Sequence, residues 1–226
     1  MEVIGAATLY LGDCRGIAPG LPRPAAIITD PPYGIASGFV ADRPSKWQRR
    51  AGAVAQAWDD GTDAAVLGLV AMAERIVVWG GNYYALPLSR GWFCWHKPDA
   101  PPSMANVELA WTNLNRNARQ ISHSIAATNA ERCGHPTQKP VAVMRWCIEQ
   151  VKVPAGGTIL DPYMGSGTTG VAAVAMGHPF TGIEIEPRYF DVACRRIEQA
   201  QRQADMFVPR PALAEPAGYP VRSMAE

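Results

Sequence analysis

Apolar and polar positions fall in short blocks along this chain, and the blocks predict strands and helices in turn. Residues 25–29, Ala-Ala-Ile-Ile-Thr, form a β-branched run halted by Pro31-Pro32, which predicts a buried strand ending at Asp30. Helical spacing over Ala64 to Glu74 puts Val66, Leu69, Val70 and Ala73 on one side. Arg75 to Trp79 predicts a second buried strand, broken by Gly80-Gly81, and Phe93-Cys94-Trp95 a third. Residues 34–62 mix glycine, serine, charge and tryptophan without a period and predict a loop; residues 98–134 are polar and predict irregular structure. Val141 to Val151 predicts a helix stopped before Pro154-Ala-Gly-Gly. Thr158 to Asp161 is strand-like, Gly170 to Met176 helical, and Pro179 to Ile185 a strand again. Pro187 to Gln203 predicts a long helix with proline in its first turn.

Strands alternating with helices imply an α/β fold around a mostly parallel central sheet. Ligands of such sheets bind beyond the C-terminal strand ends, and Asp30, Asp161 and Glu184 stand at or near three of them. With 226 residues the chain is long enough for one substantial core, expected over 1–204, with a Pro- and Ala-rich tail at 205–226.

Composition narrows the class. The chain is 48% hydrophobic and 18% charged, without an apolar run of the roughly 20 residues that a membrane span needs. Its start lacks a basic segment followed by an apolar one, so no secretion signal is expected. Five scattered cysteines, none in a C-x-x-C pair, argue against disulfides and structural zinc and for a cytoplasmic setting; no metal site is expected. A net charge of +1 neither demands nor excludes a nucleic-acid partner, because a local patch can hide in it. Two basic clusters are candidates for DNA contact: Arg43, Lys46, Arg49 and Arg50, and a second group with Arg116 and Arg119. Each could equally be a solvated face.

Three segments carry chemistry. In Asp161-Pro-Tyr-Met-Gly-Ser-Gly-Thr-Thr-Gly170 a strand leads through a glycine-rich turn into a helix, where glycines admit a ligand close to backbone N–H groups. Gly165, Gly167 and Gly170 also satisfy G-x-G-x-x-G, and Glu184 follows at the distance of a ribose-binding acid, so a nicotinamide-dependent enzyme competes for this segment. In Asp30-Pro-Pro-Tyr33 the carboxylate and the rigidly held Pro31 carbonyl form a pair of acceptors suited to an amino group on a base, whose lone pair is otherwise delocalised into the ring. Tyr33 offers a flat face for stacking an extruded base. Alone, this segment is equally a strand-end turn. His135-Pro-Thr-Gln-Lys-Pro140 precedes a helix and could meet a carboxylate, or be no more than its entry loop.

Taken together and in this order, the three segments resemble the signature motifs of the amino-DNA methyltransferases of the β class. The resemblance covers roughly residues 6–200. It implies a Rossmann-like methyltransferase fold and S-adenosylmethionine as methyl donor. Double-stranded DNA is the implied partner, with the base flipped out of the duplex. Asp30, Pro31, Pro32 and Tyr33 become the expected catalytic residues. Asp13, in a Gly12-Asp13-Cys14 segment like the family's adenine-side motif, and Cys14 are expected at the cofactor adenine, and Glu184 with Ile185 at its ribose. Asp30, His135, Thr137, Gln138, Lys139, Asp161, Tyr163, Gly165, Ser166, Gly167, Thr168 and Thr169 are expected around the rest of the cofactor. Tyr163 stands where the family usually has phenylalanine. Residues 82–134 take the place of the target-recognition region and 34–62 that of a DNA-binding loop. An initial Asp favours N6 of adenine, since Ser-Pro-Pro-Tyr more often marks N4-cytosine enzymes. N4-cytosine methylation, methylation of RNA or of a protein amide, and a catalytically silent DNA-binding protein remain the alternatives. A homodimer is expected, because a chain this short has little surface left to wrap a duplex. No endonuclease constellation is visible, so a stand-alone or phage-type methylase is favoured over a fused restriction enzyme.

Overall fold

The computed structural model describes residues 1–33, 65–69, 71–133 and 138–205. The expected loop at 34–62 with its four basic residues, the pair His135 and Thr137, and the segment 206–226 lie outside the described residues.

The described residues form one nine-stranded sheet. In chain order its strands are β1 (Glu2–Ile4), β2 (Ala7–Leu11), β3 (Ala26–Thr29), β4 (Ile76–Trp79), β5 (Gly91–His96), β6 (Val107–Thr112), β7 (Arg119–Ser122), β8 (Ile159–Asp161) and β9 (Phe180–Glu184). Across the sheet they run β1-β2-β9-β8-β3-β4-β6-β5-β7. The five from β2 to β4 are mutually parallel, which makes the fold a Rossmann-like α/β sheet. Among the described residues six α-helices accompany it: α1 (Cys14–Ile17), α2 (Ala65–Leu69), α3 (Ile125–Ala130), α4 (Val141–Val151), α5 (Thr168–Ala175) and α6 (Pro187–Asp205).

Burial explains which strands the apolar pattern revealed. Every side chain of β3 and β4 is buried, as befits parallel strands covered on both faces, and both read as unbroken apolar runs. Strand β5 alternates, with Gly91, Phe93 and Trp95 buried and their neighbours half-buried. Helix α4 buries Val143, Met144, Cys147, Ile148 and Val151, a single helical stripe, and α6 turns Phe190, Ala193, Ile197 and Ala200 inward at the same period.

Two expectations are corrected. Residues 98–134 are not irregular: they hold β6, β7 and α3, and β6 joins β4 to β5 within the central sheet. Their polarity reflects a one-sided, sheet-end position, with Arg119 and Gln120 of β7 exposed. The strands β1 and β2 went unpredicted, because β1 is an exposed edge and β2 alternates over only five residues. Trp79 and Trp95 are buried in the core.

Candidate active site

Topology gathers the chemistry at one edge of the sheet. The chain leaves β2, β3, β8 and β9 at the same end because these strands are parallel, and Asp13, Asp30, Asp161 and Glu184 sit there. From β3 the chain turns to β4 on one side, while β8 and β9 lie on the other, so the connections diverge and leave a crevice. A cavity of about 560 Å³ fills it, lined among others by Gly12, Asp13, Cys14, Asp30, Pro32, Gln138, Lys139, Asp161, Tyr163, Gly165, Ser166, Thr168, Thr169, Glu184 and Ile185. That volume suits a nucleoside-sized ligand.

On the β2–β9–β8 side each acid accepts at least one backbone N–H. Asp13 caps α1, accepting from the N–H of Arg15 at 2.9 Å and from its guanidinium Nε at 2.9 Å; that pair holds its carboxyl below the ordinary range. Glu184 accepts from the N–H of Gly165 through Oε2 and of Glu186 through Oε1, each at 2.8 Å. Burial nonetheless pushes Glu184 up. Asp161 accepts from the Thr29 hydroxyl at 2.7 Å and the Tyr163 N–H at 3.1 Å, and burial pushes it up to about 7. The glycine turn reaches α5 through Gly167, whose φ of +78° belongs to the left-handed region that glycine tolerates. A Cβ there would stand 2.9 Å from that of Ala193. Arg196 of α6, which stands in no motif, donates to the Ser166 carbonyl at 2.6 Å and to the hydroxyls of Ser166 and Thr168 at 3.1 Å. Only the fold reveals it, since it lies 28 and 30 residues further along the chain.

On the β3 side the support comes from side chains. Lys139 donates to Asp30 Oδ2 at 2.8 Å and to the Tyr33 hydroxyl at 2.9 Å. The Tyr33 hydroxyl donates in turn to Asp30 Oδ1, and that of Tyr84 to the Pro32 carbonyl. Lys139 also pairs with Glu108 Oε2 at 3.1 Å, and Glu108 with Lys97. Burial raises the Asp30 carboxyl above its ordinary value, against the pull of Lys139. Burial pulls Lys139 down, but Asp30 and Glu108 outweigh it and leave it raised. Tyr33 stacks on Tyr83 with ring centroids 5.2 Å apart and planes 18° from parallel. Gly80, with φ +64°, lets its backbone lie against the same ring, where a Cβ would come within 2.1 Å of Cε1.

The remaining expected residues are placed as follows. Gln138 spans the turn before α4, donating to the Glu131 carbonyl and accepting from the Cys133 N–H, both at 3.1 Å. Arg116 is turned onto α4, donating to the Gln150 carbonyl at 2.6 Å and to its side chain at 3.0 Å. Arg119 opens β7 and is exposed.

The cavity fits a cationic nucleoside. Five carboxylates line it (Asp13, Asp30, Asp161, Glu184 and Glu186), while its two cations, Arg15 and Lys139, are engaged by Asp13 and Asp30. This balance suits hydroxyls, amino groups and a sulfonium, and is a poor match to a pyrophosphate.

Known proteins agree with this reading. Among solved structures, the cytosine-N4-specific PvuII DNA methyltransferase superimposes with a TM-score of 0.58 at 14% identity, covering 90% of this chain and 93% of that one. The complex of M1.HpyAVI with SAM gives 0.55 at 21% identity, covering 84% and 98%. Both show the fold. In sequence, the type II methyltransferase M.ScaI of Streptomyces caespitosus is 39% identical over 104 residues, 43% of this chain and 34% of that protein. DNA adenine methyltransferase YhdJ of Escherichia coli (strain K12) is 46% identical over 66 residues, 29% of this chain and 22% of that protein. The chain thus spans about a third and a fifth of the curated relatives it matches. The profile of the N6/N4 DNA methylases matches residues 78–195, just over half of the chain, and runs from the end of β4 through β9 with the glycine turn and Glu184. Sheet order, acid-lined crevice and sequence converge: the chain belongs to the N6/N4 family of DNA methylases.

Proposed function

We propose that this protein transfers a methyl group from S-adenosylmethionine to N6 of adenine in double-stranded DNA, acting on a base flipped out of the duplex. One observation carries the reading: Asp30, at the end of β3, borders the acid-lined cavity while keeping acceptor capacity for a substrate amino group. Among the described residues each of its oxygens accepts a single hydrogen bond, from Tyr33 or from Lys139. A carboxylate offers about four lone-pair sites, so both oxygens retain one.

Bound in the cavity, S-adenosylmethionine supplies a methyl group on a cationic sulfur, an electrophile by itself. Glu184 would take the ribose hydroxyls, Asp13 the adenine amino group, and Asp161 with the Gly165–Thr169 turn the methionine end. Asp30 and the Pro31 carbonyl would hold the two N–H groups of the target, moving the nitrogen toward tetrahedral geometry and freeing its lone pair. With the donor bound there, the target nitrogen would be in place to accept the methyl group, the C–S electron pair staying on sulfur, and Asp30 would take the proton that the nitrogen gives up. Orientation and exclusion of water do most of the work.

Adenine is preferred because the motif begins with Asp30, and the name of YhdJ supports the same base. We place DNA contacts at Arg43, Lys46, Arg49, Arg50 and Arg119, target readout within 82–134, and action as a homodimer. The reading is tested by expressing the chain in a methylation-free host and sequencing the DNA by a method that distinguishes N6-methyladenine from N4-methylcytosine. Methyladenine at one recurring sequence is expected. Methylcytosine would move the target to N4, and unmodified DNA together with no cofactor binding by the purified protein would overturn the proposal.

A further inference from the structure

Beside the cofactor cavity, but not lining it, lie two charged residues that the proposed reaction does not use, Lys97 and Glu108, the outer members of a row of charges. It runs from Lys97 to Glu108, to Lys139, to Asp30. Its outer members come from the antiparallel part of the sheet. Lys97 follows the last residue of β5, and Glu108 is the second residue of β6, opposite Trp95. Because β6 runs against β4, its beginning lies at the edge where β3 ends. The side chains of Lys97 and Lys139 are only 7% and 5% exposed, so these are ion pairs largely withdrawn from solvent. Lys97 also lies over the Trp95 ring at 4.7 Å, and Lys139 beside Tyr33 and Trp79 at 5.3 and 5.6 Å.

From this juxtaposition we infer that Glu108 and Lys97 are positioning residues, which set the place and the charge of the catalytic Asp30 through Lys139. The inference rests on the methyltransferase reading above. A lysine beside Asp30 alone would bind that carboxylate closely and draw it away from the substrate amino group. Glu108 divides the attraction: Lys139 stands 2.8 Å from one acid and 3.1 Å from the other. Lys97 then compensates Glu108, so two acids and two bases sum to zero in a place where an unpaired charge would be costly. The directions of titration agree. Burial pushes Glu108 up, but Lys139 and Lys97 outweigh it and leave it low, and the Glu108 charge adds to what raises Asp30.

Among the described residues, the other titratable groups around Asp30 are Tyr33 on its own turn, Tyr84 after β4 and Asp161 on β8, with Cys147 of α4 near Lys139. None of them changes charge with Glu108 or Lys97, so opposite substitutions must move Asp30 in opposite directions. Removing the Glu108 charge leaves Asp30 as the only acid facing Lys139 and lowers its titration. Removing the Lys97 charge leaves Glu108 uncompensated and raises it. Removing both restores the balance.

The experiment compares Glu108→Gln, Lys97→Met and the double variant. It follows kcat/KM for duplex DNA against pH, and the 13C carboxyl titration of Asp30 in the free protein. Calorimetric S-adenosylmethionine affinity and urea unfolding serve as controls of the fold. Glu108→Gln should move the acid limb and the Asp30 titration down, Lys97→Met should move them up, each by at least about half a pH unit, and the double variant should return toward wild type. In Glu108→Gln kcat should fall roughly 10- to 100-fold with KM and cofactor affinity unchanged, because small misplacements of a reacting group cost up to about that much. If Glu108→Gln does not fold, Lys97→Arg against Lys97→Met carries the test, Arg keeping the wild-type limb and Met moving it. Limbs that stay fixed, or that all move the same way, overturn the inference. A wild type that methylates no DNA overturns the functional reading instead, and the carboxyl titration still judges the coupling.

Discussion

The two halves of the crevice hold their acids by different means. On the cofactor side, Asp13, Asp161 and Glu184 each accept a backbone N–H from two residues further along the chain. On the catalytic side, Asp30 is tied to a side chain 109 residues away, and Lys139 reaches on to Glu108 in another part of the sheet. Backbone donors are fixed by the strand end and carry no net charge. They orient all three acids, and burial raises Asp161 and Glu184 while Arg15 holds Asp13 low, so this side can meet a cationic ligand. Side-chain partners are charged and can be removed singly, so the catalytic half is the more fragile one, and its chemistry is tunable from a distance.

The largest effect should come from breaking the catalytic half at its centre. Lys139→Met leaves Asp30 without its cation and Glu108 with Lys97 alone, and losing one member of a buried ionic group costs roughly 3–5 kcal/mol. The sign with pH follows from Asp30, which protonates when uncompensated. Destabilisation should therefore be greater at pH 8 than at pH 5, as urea unfolding at both values would show. A loss independent of pH would contradict this electrostatic account.

Asp30→Ala comes next. Transfer should fall by about 100-fold or more, since one oriented acceptor is typically worth that much, while cofactor affinity stays within a few-fold. Retention of more than about a tenth of the activity would remove Asp30 from the reacting centre.

Glu184→Ala tests the other half. A hydrogen bond to a charged carboxylate contributes roughly 1.5–3 kcal/mol, so S-adenosylmethionine affinity should drop about tenfold or more, with kcat at saturating cofactor little changed. Calorimetry that finds unchanged affinity would separate Glu184 from the ribose.

The smallest effect is also the sharpest comparison. Asp161 titrates near about 7 because it is buried, and a cationic ligand favours its ionised form. In the free protein it is largely protonated below that value and ionised above it. Cofactor affinity should therefore rise several-fold as pH climbs from 6 to 8, with a proton released on binding at pH 6. Calorimetry in buffers of different ionisation enthalpy would detect that proton. Asp161→Asn should bind more weakly and lose the pH dependence.

How much of this was legible before folding follows the same division. The sequence by itself determined the parallel core, because β3 and β4 are buried on both faces and must be apolar at every position. It also determined the cofactor turn, since a strand-end acid, glycines and a helix start lie within ten consecutive residues, and the Asp161 carboxylate accepts the Tyr163 N–H inside that stretch. The pairing of Asp30 with Lys139 was not legible, although both residues stood in recognisable motifs, because nothing local says that two segments 109 residues apart will meet. Glu108, Lys97 and Arg196 carried no signal at all. As single charged residues they read as solvated surface, and only the reversal of β6 against β4 and the packing of α6 on the glycine turn bring them to the site. Short-range hydrogen bonds leave a pattern in neighbouring residues, whereas ion pairs closed by strand order leave none until the sheet is assembled.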